Sequence, residues 1–220
     1  MDIIKDPHQL IQELIDLQNA YAKTYRAMVT GERLNHGLKN DEEIDVVSER
    51  LREPLLEHVG HLPMIASFLY PYIENKGKVD LGRTLIMLSI HDIGETVVGD
   101  MLSFKKTAEH ASNERLAALD ILPEELVPYY EEHEAGESFD AKFAKAIDTI
   151  APFLHELSMP NLTRTRFAVH GFDSEKIEKK KRPLFLWDSV LLGIFERSLD
   201  AFRQIERGEP TGFVTTVDLK

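Results

Sequence analysis

Apolar residues recur at three- and four-residue intervals over most of the chain, the period of an amphipathic helix. The first such run covers residues 8 to 29, where Leu10, Ile11, Leu14, Ile15, Leu17, Tyr21, Tyr25 and Met28 predict a helix. From Gly31 to Asp45 the pattern lapses. Gly31, Asn35, Gly37 and Asn40 supply turn chemistry there, Asp41, Glu42 and Glu43 form a short acidic run, and a loop is predicted. Helical spacing returns from Glu57 to Tyr70, and Pro71, Asn75 and Gly77 end it. Asp80 then stands where an N-cap belongs, opening a helix from Leu81 to about Ile93. The stretch from Leu81 to Ile90 is apolar on nearly every side, which predicts a position at the centre of the fold.

Further helices are predicted over Lys105 to Leu122, from Pro123 through Glu134, from Ser138 or Asp140 to about Leu154, and between Pro183 and Arg207. No segment sustains the period-two alternation of a half-buried strand. The one short candidate, Phe213-Val214-Thr215-Thr216-Val217, lies near the end of the chain, where a frayed tail fits equally. The expected fold class is all-α. In the last predicted helix Leu191, Leu192, Ile194, Phe195, Leu199 and Phe202 either complete the core or offer a face to a homodimer.

Composition narrows the setting. A chain of 220 residues with 43% hydrophobic and 29% charged side chains can bury one substantial core, so residues 1–220 are read as a single domain. The start, Met1-Asp2-Ile3-Ile4-Lys5-Asp6-Pro7, lacks the basic stretch and apolar run of a secretory signal. No window reaches the roughly 20 apolar residues of a membrane span, and a cytoplasmic location is expected. A formal net charge of −12 argues against nucleic acid and anionic membrane surfaces as partners. A small anionic substrate remains open, because a metal and a few arginines can reverse the field inside a cleft. Cysteine is absent, so disulfides, thiolate metal sites and cysteine nucleophiles are excluded. The only basic run, Lys179-Lys180-Lys181-Arg182, reads as a solvated helix end.

The candidate chemistry lies where ionisable groups interrupt apolar helices. A carboxylate in an apolar core costs several kcal/mol unless it is paired or bound to a cation. The dipeptide His91-Asp92 closes the most apolar helix, His58 lies on the helix before it, and Asp148 falls within Phe143-Ala144-Lys145-Ala146-Ile147-Asp148-Thr149-Ile150. Taken alone, the dipeptide fits a turn-capping carboxylate and a histidine bonded to backbone. The three helices together, each bringing such a group inward, point to a shared cation. Two imidazoles and two carboxylates suit one divalent ion among Mn²⁺, Fe²⁺, Co²⁺, Zn²⁺ and Mg²⁺.

This order, His58, then His91-Asp92, then Asp148, resembles the H…HD…D pattern of the HD-domain phosphohydrolases. Within them the chain is most similar to the branch of bacterial and eukaryotic 5′-deoxynucleotidases. The segment Arg52-Glu53-Pro54-Leu55-Leu56-Glu57-His58 resembles that branch's R-x-E-x-V-x-E-H, and His91 to Asp100 resembles its H-D-[LM]-x-E-x-[IV]-x-G-D. The likeness continues through Tyr130-Glu131-Glu132-His133-Glu134 and Ala141 to Asp148, so that it spans about residues 50 to 155. Leu55, Leu56, Tyr130 and His133 depart from the branch's usual residues near the expected substrate, so reaction class transfers better than substrate.

The resemblance implies an HD domain that binds one divalent metal through His58, His91, Asp92 and Asp148. It also implies hydrolysis of a small phosphorylated substrate, a nucleoside 5′-monophosphate or a similar ester. It gives catalytic roles to Glu95, orienting water, and to Asp100, as acid to the leaving oxygen, both chemically reasonable beside a cation. Arg33, or its rival Arg52, is the implied phosphate contact. His61, one helical turn from His58, is read as a supporting or core residue, and Glu134 as a remote candidate. His110 and His133 lack the spacing of a second metal box. The competing functional readings are a non-catalytic or nucleotide-sensing HD module and an HD enzyme acting on another phosphorylated substrate.

Overall fold

The computed structural model describes residues 16–17, 20–21, 23–29, 52–158 and 160–213. The order of elements is β1 (Tyr25–Val29), β2 (Arg52–Pro54), α1 (Leu55–Leu69), α2 (Leu81–Ile90), α3 (Glu95–Val98), α4 (Ala108–Ile121), α5 (Val127–Ala135), α6 (Phe139–Ser158), α7 (Pro160–His170), α8 (Ser174–Lys181) and α9 (Ser189–Arg207). The class is all-α, as the periodicity predicts. No helix among the described residues is long and apolar enough to cross a membrane.

Helix α6 runs through the middle, with Ala141, Phe143, Ala144, Ala146, Ile147, Ile150 and Ala151 buried, and it packs against α1, α2, α5, α7 and α9. Small residues at Ala144, Ala146 and Ala151 let neighbouring helices approach closely, while Phe143 and Ile147 fill the remaining volume. Helix α2 lies across α1 and α6 with Thr84, Met87, Leu88 and Ile90 buried, the central position that its apolar sequence predicts. On α9, Leu191, Phe195, Leu199 and Phe202 are buried in the chain's own core, and Leu192 and Ile194 pack at its edge. Of the two uses open to that face, completing the core is the one observed.

Several helix starts are fixed by side chains that accept otherwise orphaned backbone N–H groups. Asp80 accepts from Arg83 N at 3.1 Å on α2, as expected. Thr107 accepts from His110 N at 3.1 Å on α4, and Asp173 from Lys176 N at 2.7 Å on α8. Asp188 does more. One carboxylate oxygen accepts from Val190 N and Leu191 N, while the other accepts from Asn75 N at 2.9 Å, 113 residues away. A single buried carboxylate thus starts α9 and pins the connection between α1 and α2 to it.

Three expectations are corrected. The run over residues 8 to 29 is not helical to its end. Helical residues reach Lys23, and Tyr25–Val29 then forms a strand antiparallel to Arg52–Pro54, with Tyr25 opposite Pro54 and Val29 opposite Arg52. This pairing partner is distant in sequence, so local periodicity does not register it. Helix α2 stops at Ile90 rather than Ile93, and α6 continues past Leu154 to Ser158. Helices α7 and α8 were not anticipated. The predicted loop at residues 31–45 and Val214–Val217 lie outside the described residues.

Asp188→Ala is expected to lower unfolding free energy by about 2 kcal/mol, since it removes a cap and strands the N–H of Asn75. Urea denaturation followed by circular dichroism measures this; a loss under about 0.5 kcal/mol would mean that the carboxylate does not hold the two regions together.

Candidate metal centre

Three helices and the turn after α2 converge on one cluster. His58 comes from the first turns of α1, His91 is the C-cap of α2, Asp92 follows it, and Asp148 projects from the middle of α6. The backbone tightens after α2 through Ile93 N to Ile90 O and Glu95 N to Asp92 O, both 3.0 Å, so Asp92 turns back toward His91. Ile90 and Ile93 are buried on either side and anchor the turn. A Cβ at Gly94 would lie 2.2 Å from the Glu114 carbonyl oxygen, so only glycine lets the turn seat against α4. Gly99, at φ +79°, then takes the left-handed region that sends the chain from α3 to Asp100.

The distances within the cluster are short. Asp148 Oδ1 lies 3.0 Å from His58 Nε2 and 3.5 Å from His91 Nε2. Asp92 presents Oδ1 to His91 Nε2 at 3.2 Å and Oδ2 to His58 Nε2 at 3.6 Å. The four residues expected as ligands are therefore brought together. Among the described residues, His58, His91 and Asp92 form one group whose ligand atoms lie within 4.8 Å of one another, and Glu53, His58 and His61 form another. Neither includes His110 or His133, although the His133 ring lies 5.1 Å from that of His91, tilted by 53°.

The tautomers suit a cation. His91 Nδ1 donates to Leu88 O at 3.1 Å, which leaves the buried Nε2 bare of any hydrogen-bond donor to accept from. On the far side of His58, Glu53 sets Oε2 3.5 Å from Nδ1, the place of the carboxylate that orients a metal-bound imidazole. The same carboxylate reaches His61 Nδ1 at 3.4 Å, so His61 supports the network, as its spacing from His58 suggests.

Charges inside the cluster shift one another strongly. Burial and the nearby Arg26 press the His58 pKa down, yet the bonds to Asp148 and Glu53 outweigh them and raise it to about 9. Burial likewise opposes the charged form of His91, but Asp92 and Asp148 hold its pKa above the usual range. For Asp148, burial favours the neutral acid, while the two histidines that face it, His58 in hydrogen-bond contact and His91 close by, keep its pKa well below the ordinary carboxylate range. Glu95 goes the other way: burial first, and then the Asp92 charge, push its carboxyl well above the usual range.

One residue in the site was missed in the sequence. Arg26, on β1, donates from Nη1 to Asp92 Oδ2 at 2.8 Å and lies 3.5 Å from Glu95 Oε2, with Nε 3.7 Å from Asp100 Oδ2. Glu95 and Asp100 are thus both beside the cluster, as expected, and Arg26 links them. Arg33 lies outside the described residues, and Arg52 begins β2, opposite Val29. The run Lys179 to Arg182 is also less uniform than a solvated helix end, since Lys181 lines the cavity next to the cluster.

That cavity adjoins His58, Asp92, Glu95, Asp100 and Asp148, together with Glu53 and Glu156. Against these six carboxylates stand three basic residues, Arg26, Lys106 and Lys181. Without a cation, such a field repels an anion; a divalent ion held by the His and Asp groups redresses it.

With this geometry in view, the sequence model of the HD domain matches residues 45–183. The chain belongs to the HD-domain family. The match takes in His58, His91-Asp92 and Asp148, so the family's defining pair is the pair at the centre of the cluster. Among solved structures, this HD domain is similar to a predicted metal-dependent phosphohydrolase from Magnetospirillum magnetotacticum MS-1, with 22% identity, a TM-score of 0.70, and 92% of this chain and 98% of that chain covered. It is also similar to a conserved hypothetical protein from Pyrococcus furiosus, at 20% identity and a TM-score of 0.53, covering 86% of this chain and 98% of the other. At these identities the likeness is one of fold. A comparison with curated proteins gives no match.

Equilibrium dialysis against Mn²⁺ or Co²⁺ with metal analysis is expected to give one tightly held ion per chain and to lose it in His91→Ala. Glu53→Gln should weaken that ion by roughly 10- to 100-fold through the orientation of His58. Unchanged affinity in Glu53→Gln would assign that carboxylate to packing alone.

Proposed function

We propose that this HD domain is a divalent-metal-dependent phosphohydrolase that removes phosphate from a nucleoside 5′-monophosphate or a similar small phosphate ester. The observation that carries the reading is Arg26, a guanidinium held among Asp92, Glu95 and Asp100 at the edge of the metal-competent cluster. A metal site that only stiffened the helices would have no need of a cation beside two further acids. A guanidinium next to a metal is, by contrast, the pairing that bidentate phosphate recognition uses. The finer assignment to a nucleoside monophosphate rests on the resemblance of Arg52 to His58 and of His91 to Asp100 to the 5′-deoxynucleotidase branch.

In this reading His58, His91, Asp92 and Asp148 hold the ion. A divalent cation there supplies Lewis acidity, which makes water a better nucleophile and offsets phosphoryl charge. Arg26 binds the phosphoryl oxygens and orients the ester against the cluster. Glu95, beside Arg26 at the edge of the cluster, with its carboxyl pushed above the usual range by burial and the Asp92 charge, aligns the attacking water. Asp100 lies on the other side of Arg26, with its side chain only 9% exposed, and delivers a proton to the departing oxygen. Phosphate entering this site competes with the three carboxylates for Arg26, so binding of substrate loosens the very contacts that hold Arg26 in its absence.

Phosphate release from deoxyribo- and ribonucleoside monophosphates by metal-stripped protein, refilled with Mn²⁺, Co²⁺, Mg²⁺ or Zn²⁺, tests the reading. Metal-dependent turnover is expected, and Asp92→Ala should abolish it. Metal uptake without turnover of any phosphomonoester would instead fit a non-catalytic or nucleotide-sensing module.

Two variants separate the roles. Arg26→Ala is expected to raise KM and to lower kcat/KM about 100-fold, equivalent to about 2.7 kcal/mol of lost charge-assisted binding. Glu95→Gln should lower kcat with little change in KM. Both should retain the metal, and a variant that loses its ion would place that residue with the ligands.

A further inference from the structure

The cavity beside the metal cluster changes character along its length. At one end are Arg26, Asp92 and the other polar groups described above; the other end is walled by Phe104, Phe153, Phe167, Phe172, Ile177 and Phe202. These rings form a continuous set. Phe104 and Phe172 lie 4.7 Å apart, Phe153 and Phe202 5.1 Å, and Phe167 and Phe202 5.6 Å. The whole cavity has a volume of about 230 Å³, somewhat below the usual range of ligand sites, and its apolar walls come mainly from the second half of α6 and from α7, α8 and α9.

Two polar atoms interrupt this apolar wall without serving the fold. Thr149, 2% exposed, has a buried hydroxyl with no hydrogen-bond partner. Glu156, 3% exposed, spends one oxygen on Arg166 and on Thr163 Oγ1, the latter at 2.5 Å, and leaves Oε1 unbonded. A buried acceptor left unmade costs free energy that no packing gain recovers. Both residues line the cavity, so a molecule inside it can reach them.

We propose that this chamber is the subsite for the organic part of the substrate, that it takes a flat aromatic group, and that Glu156 Oε1 selects groups carrying an amino or hydroxyl donor. The inference rests on the phosphohydrolase reading for where the phosphate sits. Apolar faces of the ring pack against the phenylalanines, while its donor meets the acceptor at Glu156, with Thr149 able to give or accept a second bond. An acceptor-bearing edge would face the Glu156 oxygen with like polarity and be disfavoured. A bare sugar phosphate would leave the aromatic wall hydrated and gain little.

Phosphonates, whose carbon–phosphorus bond this chemistry leaves intact, test binding apart from turnover. Isothermal titration of the metal-loaded full chain would compare methylphosphonate, 4-methylbenzylphosphonate and 4-aminobenzylphosphonate. The methylbenzyl compound is expected to bind about tenfold tighter than methylphosphonate through apolar burial, and the amino compound about fivefold tighter again through the added hydrogen bond. Phe172→Ala, at a half-buried ring, should shrink the first ratio. Glu156→Gln, which turns the acceptor into a donor, should erase or invert the second. Should Glu156→Gln fail to fold for want of its charge beside Arg166, the ranking in the unaltered protein and in Phe172→Ala still decides. Equal affinities for the three compounds, or no binding of any, overturn the proposal. If phosphomonoesters are hydrolysed while the three phosphonates bind alike, the phosphohydrolase reading stands and the aromatic subsite falls. The expected ranking without turnover of any ester reverses that outcome.

Discussion

Charge buried between helices is the constraint around which this chain is organised. Asp92 and His91 lie in the turn after the most apolar helix, flanked by buried Ile90 and Ile93, and α6 brings Asp148 to the same point. Placing that much charge in a low-dielectric interior is costly unless each group is compensated. In the protein alone the compensation is mutual: two histidines are drawn to hold protons and two aspartates to give them up. A divalent ion held by these histidines and aspartates would answer the same demand, and its binding would be linked to release of their protons.

Much of the surrounding structure serves to keep these groups in place. The cap at Asp80 starts α2 so that the helix ends at Ile90 with His91 as its C-cap. Gly94 allows contact with α4, and Gly99 returns the chain toward Asp100. Glu53, on the short strand β2, stands behind His58. Arg26 comes from β1, which is tied to the beginning of α1 by Leu55 N to Thr24 O at 2.9 Å. The small sheet thus has a clear purpose in an otherwise helical fold. It carries Arg26 to Asp92 and Glu53 to His58.

The clustering of His58, His91, Asp92 and Asp148 was legible in the sequence because ionisable residues on an apolar helical face violate the local pattern, and a violation repeated on three helices has few explanations. Glu95 and Asp100 were legible through their spacing from His91-Asp92 together with the family resemblance. Arg26 was not. It follows a stretch with helical periodicity and becomes part of a strand only through a partner some 26 residues later in sequence, a non-local fact that spacing does not encode. Helices α7 and α8 escaped for a related reason. Pro160 to His170 reads as polar, yet Arg166 is wholly buried against Glu156 and Thr163. A charged residue that is inside the fold looks, in sequence, like one that is outside it. The aromatic wall depended on those helices and so was invisible as well, although each of its phenylalanines was in plain view.

Pro152 lies inside α6, four residues beyond Asp148. Having no N–H, it cannot bond the carbonyl of Asp148, and the helical ladder is broken at the level of the cluster. Asp148, before the break, belongs to the cluster, and Phe153 and Glu156, after it, line the chamber. A helix divided at that point can absorb changes on one side without transmitting them rigidly to the other. The walls of the chamber and the surroundings of the cluster are thereby carried on two mechanically separate halves of one helix.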